Sequence, residues 1–166
     1  MDVAARDVER STLMTHNTHL HDERTTGSRV QAASALVGAV FLLVGVLGFV
    51  PGITTPYDGL EAAGHDSHAE LLGLFQVSIL HNVVHLLFGV AGLALARTAS
   101  GARAFLVGGG AVYLVLWLYG LVVDKASQAN FVPLNTADDW LHFVLGLGMI
   151  ALGVVLGRRA AGGVTD

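Results

Sequence analysis

The chain has 166 residues, of which 53% are hydrophobic and 13% charged, and its mean hydropathy is +0.62. That is too apolar for an ordinary soluble domain, and the absence of cysteine removes disulfide frameworks, thiolate metal sites and cysteine nucleophiles. A net charge of −4 without a basic patch excludes a nucleic-acid surface, and the sequence holds neither a Gly-rich phosphate loop nor a Ser-His-Asp set.

Residues 1–28 are polar, mixed in charge and nearly free of large apolar side chains, which predicts a disordered tail. Within it, His16, His19 and His21 are read as incidental, and Met14 is a second candidate start that N-terminal sequencing decides. The first apolar run, Val30–Val50, is wide enough for a hydrocarbon core of about 30 Å, which takes roughly 20 residues. No small-x-small cleavage site follows it, so it reads as a retained helix. A polar loop, Pro51–Glu70, carries His65 and His68, and Asp66 or Ser67 is the expected cap of the next helix. The second run is Leu71–Ala96 and the third Ala102–Val123. After a loop at Asp124–Asp139 comes the fourth, Trp140–Leu156 with its flanks, or about 138–157, and residues 159–166 form a short tail. No run shows the strict alternation of a barrel strand, so the prediction is an all-α transmembrane four-helix bundle over residues 29–158.

The cationic residues orient it. Arg6, Arg10, Arg24 and Arg29 precede the first span, Arg97 and Arg103 flank the second connection, and Arg158 and Arg159 follow the fourth span. Lys125 alone lies on the other side. By the positive-inside rule both termini are cytoplasmic, in a bacterial plasma membrane, and the two longer loops face outward.

Two segments repeat one pattern. Asn82-Val-Val-His85-Leu-Leu-Phe-Gly89 matches Asp139-Trp-Leu-His142-Phe-Val-Leu-Gly146, and Gly38-Ala-Val-Phe41 with Gly48 matches Gly110-Ala-Val-Tyr113 with Gly120. This predicts two tandem helical-hairpin repeats, related by an axis along the membrane normal. At about 1.5 Å per residue His85 lies roughly 18 Å from Arg97 and His142 roughly 24 Å from Arg158, which puts both in the outer half.

Ser78, His81, Asn82, His85, Gly89 and Gly92 follow steps of three and four, so one face of the second helix is polar or small and must point into protein. Asp139, His142 and Gly146 form the matching stripe, with Asp124 and Asp138 close by in sequence. Several readings stay open. His81 and His85 at i, i+4, with His142 and Asp139, make a candidate set of four ligands for a divalent transition metal, with Ser78, Asn82, Asp124 and Asp138 around it. A metalloprotease is excluded because Asn82 stands where that motif needs its glutamate. Haem between His85 and His142 is a second reading, and a proton or solute path a third, although the inner halves of the spans carry almost no polar residues. Against all three stands plain hydrogen-bonded packing between helices. His81, matched by Asp138 in the other repeat, is the residue that symmetric packing does not explain.

The glycines in the spans read as close-packing positions, and Gly153 with Gly157 as a candidate subunit contact, in a homo-oligomer or with a membrane partner. Tyr113, Trp117, Tyr119 and Trp140 read as a buried aromatic face or an interfacial belt. At Val50-Pro-Gly-Ile-Thr-Thr55, Leu71-Leu-Gly-Leu-Phe-Gln-Val-Ser78, His81-Asn-Val-Val-His85 and Asn130-Phe-Val-Pro-Leu-Asn-Thr-Ala-Asp138 the chain resembles a family of small four-helix membrane proteins found mainly in actinobacteria. That family is described as a domain of unknown function. The resemblance spans about Arg29 to Arg158; it implies a bacterial membrane protein and brings no ligand or catalytic residue. The functional expectation is a non-enzymatic membrane protein with an outward pocket of His81, Asn82, His85, Asp124, Asp139 and His142 that binds a divalent cation.

Overall fold

The computed structural model describes residues 29–158, so the expectations for the N-terminal tail, its histidines, Met14 and the tail after Arg158 lie outside the described residues. Helix α1 runs Arg29–Leu47, α2 Ile79–Leu95, α3 Ala99–Val122 and α4 Thr136–Arg158. Three of these, α1, α3 and α4, are long and apolar enough to cross a bilayer, while α2 is a shorter apolar helix. Their outer faces are apolar as well, with Leu36 67% and Val115 64% exposed. A helix that is apolar all round belongs in lipid, so this is a membrane protein.

The second predicted span is shortened at its start. Residues 71–78 are not helical: the loop between α1 and α2 folds into a three-stranded antiparallel sheet of β1 (Thr54–Thr55), β2 (Glu70–Leu71) and β3 (Phe75–Gln76). The reversal between β2 and β3 needs positive φ at Leu72 (57°) and Gly73 (65°), which stops any helix from running through. The cap of α2 is therefore Ser78, not Asp66 or Ser67. Its hydroxyl accepts the His81 backbone N–H at 3.1 Å. Ser67 is instead buried inside the loop, where its hydroxyl donates to the Val77 carbonyl.

Thr98 caps α3 by accepting from Gly101 N at 3.0 Å. Helix α4 opens with a reciprocal box: Asn135 Oδ1 accepts from Asp138 N, and Asp138 Oδ2 accepts from Asn135 N, both at 3.0 Å. The same Asp138 oxygen accepts Gln76 N at 3.1 Å, and Gly64 N donates to the Phe131 carbonyl at 2.9 Å. These bonds fasten the sheet-bearing loop to the α3–α4 loop, so together they form a cap over one end of the bundle, here termed the loop end. Ala69, Leu71 and Val77 fill the cap, against Val44 and Leu47 of α1.

Glycines set how close the helices come. A Cβ on Gly38 would stand 2.9 Å from the Gly89 carbonyl oxygen, and one on Gly110 would stand 2.7 Å from the Gly146 carbonyl oxygen. Nearer the cap, a Cβ on Gly48 would overlap the Asn82 side chain, and one on Gly120 would overlap the Asp139 carboxylate. Gly153 and Gly157 pack in the same way within the chain, against Val107 and Arg103, which uses up the pair expected as a subunit contact. Below the cap, Phe41, Phe105, Leu106, Tyr113 and Met149 form the buried apolar core.

Candidate functional site

The buried residues of α2 are His81, Asn82, His85, Gly89 and Gly92, the face marked out by their three- and four-residue steps. On α4 the buried face includes Asp138, Asp139, His142 and Gly146. From these two stripes the structure brings the three imidazoles into contact, with Asn82 and Asp138 at the edge of the same cavity. The rings of His81 and His85 stack with centroids 4.6 Å apart, and His142 lies 6.5 Å from His81. Tyr113 of α3 joins them edge-on, 5.1 Å from His142, and itself stacks on Phe41 of α1 at 5.4 Å. Phe41 stands edge-on to His85 at 5.7 Å. Interplanar angles of 62° for Phe41–His85 and 63° for Tyr113–His142 make the two halves of this cluster near-copies.

The other expected members are engaged elsewhere. Asn82 donates its amide to the Gly48 carbonyl at 2.8 Å, tying α2 to α1. Asp139 is held by Lys125, whose ammonium lies 2.9 and 2.8 Å from its two oxygens. Asp138 and Ser78 are consumed as helix caps. Asp124 is exposed and accepts from Ala126 N in the loop, so it takes no part in the pocket. The four-ligand set with Asp139 is thus not assembled; among the described residues no group of three or more His, Asp or Glu side chains is arranged to hold a metal ion. The physical reason is Lys125, whose ammonium already engages both Asp139 oxygens. Nor is there an open slot for a macrocycle between His85 and His142, because the rings of His81, Phe41 and Tyr113 fill the room between them.

Hydrogen bonding inside the cluster is incomplete. His85 Nδ1–H donates to the His81 carbonyl at 3.0 Å, because a carbonyl only accepts, and in the neutral ring Nε2 is then the acceptor. The Nδ1 atoms of His81 and His142 are buried and have no partner. Burying an unpaired polar atom costs about 1–3 kcal/mol, so two in contacting rings are a marked exception to the usual satisfaction of buried groups.

Space lies on both sides of the cluster. A cavity of about 210 Å³ sits under the cap, bounded by Val44, Phe75, Val77, Asn82, Asp138 and Leu141. Another of about 280 Å³ lies between α2 and α3, bounded by Leu80, Val84, Leu116, Phe131 and Val132. His81, His85, Tyr113 and His142 line both. Tyr113 is the member of the cluster that the helical stripes alone missed; its signal in the sequence was its match to Phe41 in the repeated pattern.

Residues 31–155 match the family model DUF4383, a domain of unknown function. The chain belongs to this family. No curated protein and no solved structure matches it.

Proposed function

We propose that this DUF4383 protein is a multi-pass protein of the bacterial plasma membrane that binds a small ligand in an outward-facing histidine pocket and catalyses no reaction. The orientation follows from the arginines, which collect at the end of the bundle opposite Lys125 and put both termini in the cytoplasm. Residues 29–158 act as one membrane domain made of two tandem hairpin repeats. In favour of the repeats, Gly38 meets Gly89 as Gly110 meets Gly146, Gly48 faces Asn82 as Gly120 faces Asp139, and Phe41–His85 repeats as Tyr113–His142. Because the chain has no cysteine, single cysteines at Ser100 and Gln128 test sidedness without background. An impermeant thiol reagent on intact cells should label Gln128→Cys and spare Ser100→Cys.

One observation carries the binding reading: two buried imidazole Nδ1 atoms without partners, in rings that line two cavities. Plain packing glue would pair its polar atoms across helices, as Asn82 does with Gly48. Native mass spectrometry of protein extracted from its own membrane in mild detergent tests this. The wild type should carry an added mass that His142→Leu loses while remaining folded; the same spectrum for both variants would leave packing as the role of the cluster.

A divalent transition ion is the second reading, favoured by His85. An imidazole whose other nitrogen donates to a backbone carbonyl is oriented in the manner of a metal ligand, and His81 and His142 stand beside it, although the three would have to turn toward a shared ion because they are not arranged around one as they stand. Elemental analysis of untagged protein prepared without chelator decides it. Stoichiometric zinc, copper or manganese would support the ion, and a metal-free folded protein would remove it.

A further inference from the structure

We infer that the tip of the β2–β3 hairpin, Leu72-Gly73-Leu74, binds the bilayer: its two leucines insert into the leaflet at the loop end, so the cap rides in the membrane surface and not in the water above it. The inference is independent of what the histidine pocket holds.

Sequence and backbone set this tip apart from a loop made for water. From Leu71 to Leu80 the chain carries no charged residue. Leu72 has φ 57° and Gly73 φ 65°, a conformation that turns facing water usually fill with Gly, Asn or Asp. Here a leucine takes the first position, 69% exposed, with Leu74 beside it 52% exposed. The amides of both leucines are nonetheless bonded within the protein. Leu72 N–H donates to the Ile53 carbonyl at 2.8 Å, and Leu74 N–H to the Leu71 carbonyl at 3.2 Å. Seating the two side chains in lipid therefore strands neither N–H, and it removes two bare leucines from water.

The depth of the tip names lipid as its partner. Phe41, His85, Tyr113 and His142 form one layer across the bundle. At about 1.5 Å per residue, Arg29, Arg97, Arg103 and Arg158 lie roughly 15–24 Å from that layer toward one end. Leu47, where α1 stops, and Ile79 and Thr136, where α2 and α4 start, lie roughly 9 Å from it toward the other. A hydrocarbon core about 30 Å thick that begins at the arginines thus ends at the first residues of the cap. The Asn135 side-chain amide, at the head of α4, donates to the Leu74 carbonyl at 2.8 Å, which holds the tip level with that boundary. The apolar outer surface runs on directly below, with Ile79 of α2 42% and Trp140 of α4 59% exposed. Leu71, Leu72 and Phe75 also wall the cavity under the cap, so the element that binds the leaflet is the roof of that cavity as well.

The test uses the full chain, which has no cysteine of its own, at one copy per lipid nanodisc, with a bimane label on single introduced cysteines. Two quenchers are compared: phosphatidylcholine brominated high on its acyl chains, and iodide in the water. Labels at Leu72→Cys and Leu74→Cys should lose fluorescence to the brominated lipid as Val115→Cys does on the exposed face of α3, while iodide quenches Asp58→Cys in the same loop and spares them. Leu74 lies outside the positive-φ pair, so it reports on the tip even where a cysteine at Leu72 disturbs the turn. Iodide quenching at both leucine positions equal to that at Asp58 would overturn the inference and leave the tip as a surface for a partner protein. Labels that neither quencher reaches would overturn it too, by placing the tip under protein.

Discussion

The α1–α2 and α3–α4 hairpins solve one packing problem with different chemistry. In each, a glycine near the loop end opens a socket for a polar side chain from the neighbouring helix: Gly48 for Asn82 and Gly120 for Asp139. Asn82 is neutral, and its amide N–H donates to the Gly48 carbonyl. Asp139 carries a charge, and its hairpin had to bring in Lys125, which grips both oxygens. A second difference lies one position earlier: His81 joins the ring cluster, while Asp138, though it borders the cavity under the cap, spends its carboxylate on capping α4 and holding the sheet. A third lies within the helices, where Gly45 against Leu86 in the first hairpin answers to Trp117 against Phe143, at 4.7 Å, in the second. The first hairpin thus supplies two of the three histidines, while the second supplies the third and the electrostatic anchor.

The contrast between the sockets is most sharply broken by exchanging their chemistry. Asn82→Asp puts a carboxylate where only the Gly48 carbonyl oxygen faces it and no cation is at hand, so it should cost about 3–5 kcal/mol in reversible unfolding from detergent. A loss below about 1 kcal/mol would show that the first socket tolerates charge as the second does. Lys125→Met should cost somewhat less, about 2–3 kcal/mol, because the lysine is 35% exposed and water relieves part of the stranded charge. Adding Asp139→Asn to Lys125→Met turns the second socket into a copy of the first, and most of the lost stability should return. No recovery in the double variant would mean that Lys125 acts through contacts other than Asp139.

How legible these features were in the sequence depends on the range of the physics behind them. The four helices, and the burial of His81, Asn82, His85, Gly89 and Gly92 together, follow from hydrophobic length and a period of 3.6 residues, which are local properties. The start of α2 was hidden because Leu71 to Val77 is apolar enough to continue a span; only Gly73 and the Ser78–His81 spacing hinted that it is a hairpin followed by a cap. The fates of Asp124 and Asp139 were not legible. Stripe spacing fixes which face a side chain leaves from, but the direction of a flexible carboxylate is decided by the nearest opposite charge, and Lys125 belongs to no stripe. Tyr113 lay between these cases, since its helix has little periodic contrast and only the match to Phe41 marked it.

Where the hairpins agree, smaller changes test how closely. Gly38→Ala and Gly110→Ala each place a methyl group under 3 Å from a facing carbonyl oxygen, and each should cost about 1–3 kcal/mol. Similar values for the two would mean that equal spacing comes with equal tightness, whereas costs differing by more than about 2 kcal/mol would show that one hairpin can spread to admit the methyl group.

The smallest expected effect on stability is at the Phe41–Tyr113 stack, a contact between matching residues of the two hairpins. Tyr113→Phe keeps the ring, its 5.4 Å stacking on Phe41 and its edge contact with His142, so unfolding should shift by less than about 0.5 kcal/mol. The hydroxyl it removes is the only polar difference between the two stacked residues, and it belongs to a side chain that borders both cavities. Phe41→Tyr adds that hydroxyl to the other ring, where the core holds no partner for it, and should cost about 1–3 kcal/mol. The pair of measurements decides whether the stack is polar on one side for a reason. A large loss in Tyr113→Phe would make the phenol structural, whereas an unchanged fold with weaker ligand retention would make it part of the pocket.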